Sequence, residues 1–154
     1  MSESNLKLSN QLCFPLYVCS KEIISKYKEF LDKIDLTYTQ YVVMLALWEQ
    51  GSTNVRQLGN IICLDSGTLT PLLKKLEKKG LITRTKDPSD ERNLIIDVTK
   101  DGYKLKDKVK NIPNKVSQCL PLSDEEKEMF GEMLHKIVKC IYDHKDNKNT
   151  SSKN

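Results

Sequence analysis

The chain has 154 residues, 38% of them hydrophobic, which is enough for one compact domain with a buried core. No run approaches the roughly eighteen apolar residues of a membrane span, and the opening lacks a basic stretch followed by an apolar one, so a cytoplasmic chain is expected. Five cysteines without CxxC or His-paired spacing fit neither a disulfide scaffold nor a zinc site; no metal and no cofactor are expected, and oxidation of a thiol in a reducing compartment is a signal. The formal charge of +4 matters less than its placement. Residues 65–86 hold Lys74, Lys75, Lys78, Lys79, Arg84 and Lys86 against Asp65 and Glu77, and the three arginines, Arg56, Arg84 and Arg92, all fall in the middle third. Such clustering is either a solvated face or the footprint of a polyanion.

In chain order, Ser9 or Asn10 is positioned to cap a first helix to about Leu31, with Leu12, Leu16, Ile23, Ile24, Tyr27 and Leu31 at helical spacing. Thr37 and Gln40 make a capping box for a second amphipathic helix that stops at Gly51. Asn54 caps a short helix to about Ile62, and a tight connection at Leu64-Asp65 leads to a further helix ending at Gly80. In that helix Leu69, Leu72, Leu73 and Leu76 share one buried face. Pro71 leaves two starts open, with Asp65 or Thr70 as the cap.

Residues 81–85 and 93–98 read as strands around the turn Asp87-Pro88-Ser89-Asp90, a β-hairpin or wing. Thr99 caps a helix running toward Cys119, which Pro113 should kink or break. Ser123 and Glu126 form another capping box for a last helix to about Tyr142, beyond which the polar residues 144–154 are expected to be disordered. The fold class is therefore mainly α with a small β wing, a winged helix-turn-helix flanked by helices from both chain ends.

A helix-turn-helix lays its second helix in the major groove of double-stranded DNA, short hydroxyls reaching base edges and lysines meeting phosphates. Ser66, Thr68 and Thr70 are the candidate base readers, and Lys74 and Lys75 the candidate phosphate contacts, with Arg84 in the same basic segment. Arg92 in the wing suits the adjacent minor groove. Asp90 either orients Arg92 through a charge-assisted hydrogen bond or only shapes the turn.

The run from Leu64 through Ser66, Thr68, Thr70 and Pro71 to Glu77, followed by Gly80-Leu81-Ile82-Thr83-Arg84 and Asp90-Glu91-Arg92-Asn93, closely resembles the MarR family of winged-helix regulators. Val98-Thr99 stands where that family often has Leu-Thr, which leaves the wing intact. The resemblance implies a homodimer on a pseudo-palindromic operator. It further implies dimerisation through residues 1–36 and 101–143, a DNA-binding region over 37–100 and a tail over 144–154.

Cys13 lies in the first turn of its helix, where unpaired amides and the helix dipole favour a thiolate; the alternative is a cysteine serving as a small hydrophobe. Tyr27 is close to the same helix face but roughly 21 Å along the axis at about 1.5 Å per residue, so one subunit cannot join the two. Antiparallel first helices in a dimer would bring Tyr27, and Tyr38 with it, to the Cys13 of the partner subunit, where two phenols could hydrogen-bond one thiolate. Gln11-Leu12-Cys13-Phe14 with these tyrosines resembles the sensing site of the family's organic-hydroperoxide branch, typified by OhrR, with an oxidant or a small thiol as signal. Two-cysteine members of that branch have a second cysteine near Cys119 and form a disulfide between subunits; capture of Cys13 by a small thiol is the alternative. Cys63 and Cys140 read as core filling, Cys19 has no comparable setting, and His135 and His144 lack ligand spacing. Competing functions are a regulator answering to a small aromatic ligand, which needs no Cys13, and a thiol peroxidase, for which no arginine or histidine lies near Cys13 in sequence. The expectation is a regulator and not an enzyme.

Overall fold

The computed structural model describes residues 6–151, with side chains described as far as Tyr142. It divides into two compact units, residues 1–117 and 118–154. In the first, a 3-10 turn at Leu8–Asn10 precedes helix α1, Cys13–Leu31. Neither Ser9 nor Asn10 caps α1. The turn closes on itself through Asn10 N–H to Lys7 O and Gln11 N–H to Leu8 O, the chain leaves it extended at Gln11, and the helix starts from Leu12 with no side-chain cap.

A second 3-10 turn, Asp32–Ile34, leads into α2, Tyr38–Gln50. The capping box at its start is complete: Gln40 N–H donates to Thr37 Oγ1 at 3.2 Å and Thr37 N–H to Gln40 Oε1 at 3.0 Å. Helix α3, Val55–Ile62, is capped by Asn54, whose Oδ1 accepts from Gln57 N–H at 2.9 Å. Helix α4, Ser66–Lys78, starts at Asp65 rather than Thr70. The carboxylate of Asp65 accepts from Thr68 N–H at 2.9 Å and Thr68 Oγ1 at 2.7 Å, which anchors the first turn. Pro71 then sits inside the helix; the bond it forfeits would go to the carbonyl of Gly67, an exposed residue where water can take its place.

Strand β1, Thr53–Asn54, pairs antiparallel with β3, Leu94–Val98, and β3 pairs antiparallel with β2, Ile82–Lys86, giving the sheet order β1-β3-β2. Thr53 opposes Ile96, and Arg84 opposes Ile96 from the other side. The core lies between the helices and this sheet, with Leu31, Tyr41, Met44, Leu47, Leu58, Leu69, Leu73, Leu76, Ile82 and Ile96 all buried. Burying each such aliphatic side chain contributes about 1.5–3 kcal/mol, so the three leucines of α4 fix which of its faces is left to solvent.

Thr99 caps α5, Lys100–Val109, accepting from Gly102 N–H at 3.0 Å. The break expected near Pro113 is present: α5 ends at Val109 and α6 runs Ile112–Ser117, with Pro113 in its first turn, where a missing amide is tolerated. Gly102 joins α5 to the wing and α2. Its carbonyl accepts from Trp48 Nε1 at 3.1 Å, and a Cβ there would press into the backbone carbonyl of Leu81 and stand 2.7 Å from Val98 Cγ1. Gly102→Ala is therefore expected to lower stability by about 1–3 kcal/mol, read from chemical denaturation, because the obstructing group is backbone and cannot rotate away. An unchanged denaturation midpoint would contradict the packing described.

The second unit is dominated by α7, Asp124–Ser151. Its capping box is present, with Glu126 N–H to Ser123 Oγ at 3.2 Å and Ser123 N–H to Glu126 Oε2 at 2.8 Å. Its backbone stays helical through Ser151, past the end expected near Tyr142; no proline or glycine interrupts that stretch, and residues 152–154 of the expected tail lie outside the described residues. Met129, Met133, Ile137 and Ile141 repeat at four-residue spacing and are 44–58% exposed within the chain.

Candidate nucleic-acid interface and redox site

On α4 the buried leucines leave Ser66, Thr68, Lys74, Lys75 and Lys78 exposed and Thr70 half-buried. Thr68 is exposed but its hydroxyl proton is committed to Asp65, so toward a base edge it can only accept, which suits the amino group of adenine or cytosine. That hydroxyl and the Thr68 amide hold the carboxyl of Asp65 below the usual carboxylate range. The helix start is thus negatively capped, and its cations Lys74, Lys75 and Lys78 lie about two to three turns on.

Arg84 does not face outward with them. Its Nη2 and Nε donate to Glu77 Oε2 at 2.6 and 2.9 Å, and its side chain is 16% exposed. The pair ties α4 to β2, and a guanidinium so engaged sets the angle of helix to wing instead of reaching a phosphate. Asp90 likewise does not hold the Arg92 guanidinium. Its Oδ1 accepts from the Arg92 backbone N–H at 3.1 Å and its Oδ2 from Asn93 Nδ2 at 3.2 Å, while Asn93 N–H reaches Asp90 O at 2.9 Å. Asp90 shapes the turn, as short polar side chains do. Arg92 is exposed in the wing, and its guanidinium has no ion-pair partner among the described residues.

The sensing residues divide between two settings. Cys13 is the first residue of α1 and exposed, at a helix start without a side-chain cap. The apolar side chains around it are exposed as well: Leu12 at 78%, Phe14 at 43%, Leu16 at 40% and Tyr17 at 64%. Tyr27, toward the other end of α1, and Tyr38, the first residue of α2, are half-buried and pack edge to face, ring centroids 5.1 Å apart. Tyr41 completes this group. It is 1% exposed, with its ring 5.7 Å from that of Tyr27 and 6.4 Å from that of Tyr38. Burial, then the charge Tyr27 and Tyr38 would carry, pushes the Tyr41 phenol up to about 12; burial, then Tyr38, raises Tyr27. Tyr41 was legible only as a helix-face residue, although its spacing from Tyr38 puts the two on one face.

Cys119 is exposed in the connection between α6 and α7. Cys63 is half-buried at the C-cap of α3 with φ of 58°, and Cys140 is exposed, so neither simply fills a core within the chain. Exposed His135 faces the carbonyl of Gly131 at 2.8 Å, and the side chain of His144 lies outside the described residues. Among the described residues there is no cluster that could hold a metal ion, and no helix is long and apolar enough to cross a membrane. An open cleft of about 550 Å³ is lined by Asp32, Asp35, Leu36, Thr37, Gln40, Lys75, Lys78 and Lys79.

Residues 36–94 match the model of the MarR family. The chain is 46% identical over 137 residues to the HTH-type transcriptional regulator SarZ of Staphylococcus haemolyticus, covering 89% of this chain and 93% of that one. It is 41% identical over 138 residues to the organic hydroperoxide resistance transcriptional regulator of Bacillus subtilis, covering 90% and 94%. Among solved structures, reduced AbfR bound to DNA superposes with a TM-score of 0.76 at 36% identity, covering 92% of this chain and 99% of that one. AbfR has also been solved overoxidised on DNA and with a disulfide formed.

Proposed function

The chain belongs to the MarR family, and we propose that it is a cytoplasmic, homodimeric transcription regulator that reads DNA with α4 and Arg92 and answers oxidants through Cys13. It is a redox-sensing DNA-binding regulator like its relatives. The observation that carries the residue assignment is the exposed apolar surface around Cys13 in a chain whose Tyr27 lies toward the opposite end of the same helix, packed on Tyr38 at the start of α2. A second copy laid antiparallel covers that surface and brings the phenols of one protomer to the thiol of the other. The exposed stripe of α7 supplies further apolar area for the same association.

The chemistry follows from the thiol. The sulfur of Cys13 attacks the O–O bond of a hydroperoxide, releasing the alcohol and leaving a sulfenic acid, which condenses with a second thiol to a disulfide and water. Cys119 of the partner subunit is the proposed second thiol. One turnover per protein without a bound reductant is a signal and not an enzymatic cycle, so we read the chain as a non-enzyme. The aromatic-ligand alternative finds little support in the cleft beside α4, since all but Leu36 of its lining residues are polar or charged.

DNA binding is tested by titration of the reduced protein on operator DNA. Arg92→Ala is expected to cost about 1–3 kcal/mol without loss of the dimer, whereas Lys74→Ala with Lys75→Ala should flatten the salt dependence by roughly one unit for each phosphate no longer neutralised. Wild-type affinity and slope in both variants would remove these residues from the interface.

A further inference from the structure

Tyr27, Tyr38 and Tyr41 form one cluster, but only the first two have so far been given a task. Tyr41 differs from them in being almost wholly buried while its hydroxyl has no hydrogen-bond partner among the described residues. Those residues also contain no fully enclosed side-chain oxygen or nitrogen lacking a partner. The trace of surface Tyr41 keeps is therefore at its hydroxyl. A core position that needed only a ring would be filled as well by phenylalanine, without an O–H to desolvate. The three phenolic oxygens also lie near enough to feel one another's charge, since ionised Tyr27 and Tyr38 both oppose ionisation of Tyr41. Each phenol is an O–H donor, and none has an anionic acceptor among the described residues.

Three clustered phenolic donors are complementary to a small, electron-rich anion. We propose that Tyr41 supplies a third hydrogen bond to the sulfur of Cys13 of the partner subunit, beside Tyr27 and Tyr38. The inference rests on the dimeric sensing site proposed above and adds one residue to it. A third donor, on the same face of α2 as Tyr38, shares the thiolate's charge further, so the ring cluster and the sulfur become one bonded unit. No electron or proton leaves the tyrosines in this role; the hydroperoxide oxidises sulfur alone.

The test uses the full-length reduced dimer and cumene hydroperoxide, with stopped-flow measurement of the rate constant for Cys13 oxidation in wild type and in Tyr41→Phe, Tyr27→Phe and Tyr38→Phe. Phenylalanine keeps the ring packing and removes only the O–H. Tyr41→Phe is expected to slow oxidation roughly three- to tenfold, the worth of one hydrogen bond, while reduced operator affinity stays within about twofold. An alkaline absorbance titration of the same variant should lose the highest tyrosine transition, that near 12. If Tyr41→Phe reacts at the wild-type rate while Tyr27→Phe and Tyr38→Phe are slow, the proposal is overturned and Tyr41 is a packing ring. If all three react like wild type, the phenol site itself is wrong and the proposal goes with it.

Discussion

Cys13→Ser is expected to bind operator DNA as the reduced wild type does and to keep it bound after treatment with organic hydroperoxide. The exposed side chain of Cys13 stands at the start of α1, away from the buried leucines of α4 and from the wing. Serine preserves its size and its exposure to solvent, so the reduced dimer and its recognition helices keep their spacing. A hydroxyl cannot form a sulfenic acid, and the response is lost entirely rather than reduced. Release of the operator by peroxide in this variant would move the sensor to another cysteine. Cys63 would be examined next, because it occupies the turn between α3 and α4.

The second large effect is on covalent dimer formation. After stoichiometric peroxide, wild type is expected to run as a cross-linked dimer on a non-reducing gel, and Cys119→Ser as monomer only. A sulfenic acid not captured by a thiol proceeds toward irreversible oxidation when further hydroperoxide is supplied, so with a several-fold excess of peroxide the variant should also gain the mass of two or three oxygens at Cys13. Cys119 is exposed in the connection before Ser123, a place where backbone can shift at small cost. A disulfide needs the two Cα atoms within about 7 Å, and drawing the subunits to that distance can change the separation of the recognition helices, which must match about one turn of DNA. Cross-linking that persists in Cys119→Ser, or wild type that yields only mixed disulfides with added thiol, would assign the partner elsewhere.

What the sequence revealed were features written in short-range chemistry. Thr37 with Gln40, Asn54, and Ser123 with Glu126 cap helices using bonds to residues three positions away, and spacing is enough to read them. The leucine stripe of α4 was legible for the same reason, since period alone decides which face is buried. Asp65 and Thr70 could not be separated because the deciding bond, Thr68 Oγ1 to Asp65, outweighs a proline penalty whose size depends on exposure. Strand β1 is two residues long and exists only because β3 lies beside it. Arg84 illustrates the general limit. By composition it belongs with the basic residues of the interface, yet folding brings Glu77 against it, and a guanidinium paired at 2.6 Å serves the scaffold. Tyr41 shows the converse, a residue that passes for core until its neighbours Tyr27 and Tyr38 are seen around it.

The central claim is that one oxidation event at Cys13 controls occupancy of DNA. Its most direct test is an operator titration of reduced and peroxide-treated protein, with intact-mass measurement on the same samples. The expected result is that affinity falls in proportion to the fraction of protein oxidised at Cys13 and returns on reduction with dithiothreitol. Full operator affinity in protein whose mass and peptide map show complete oxidation at Cys13 would contradict it.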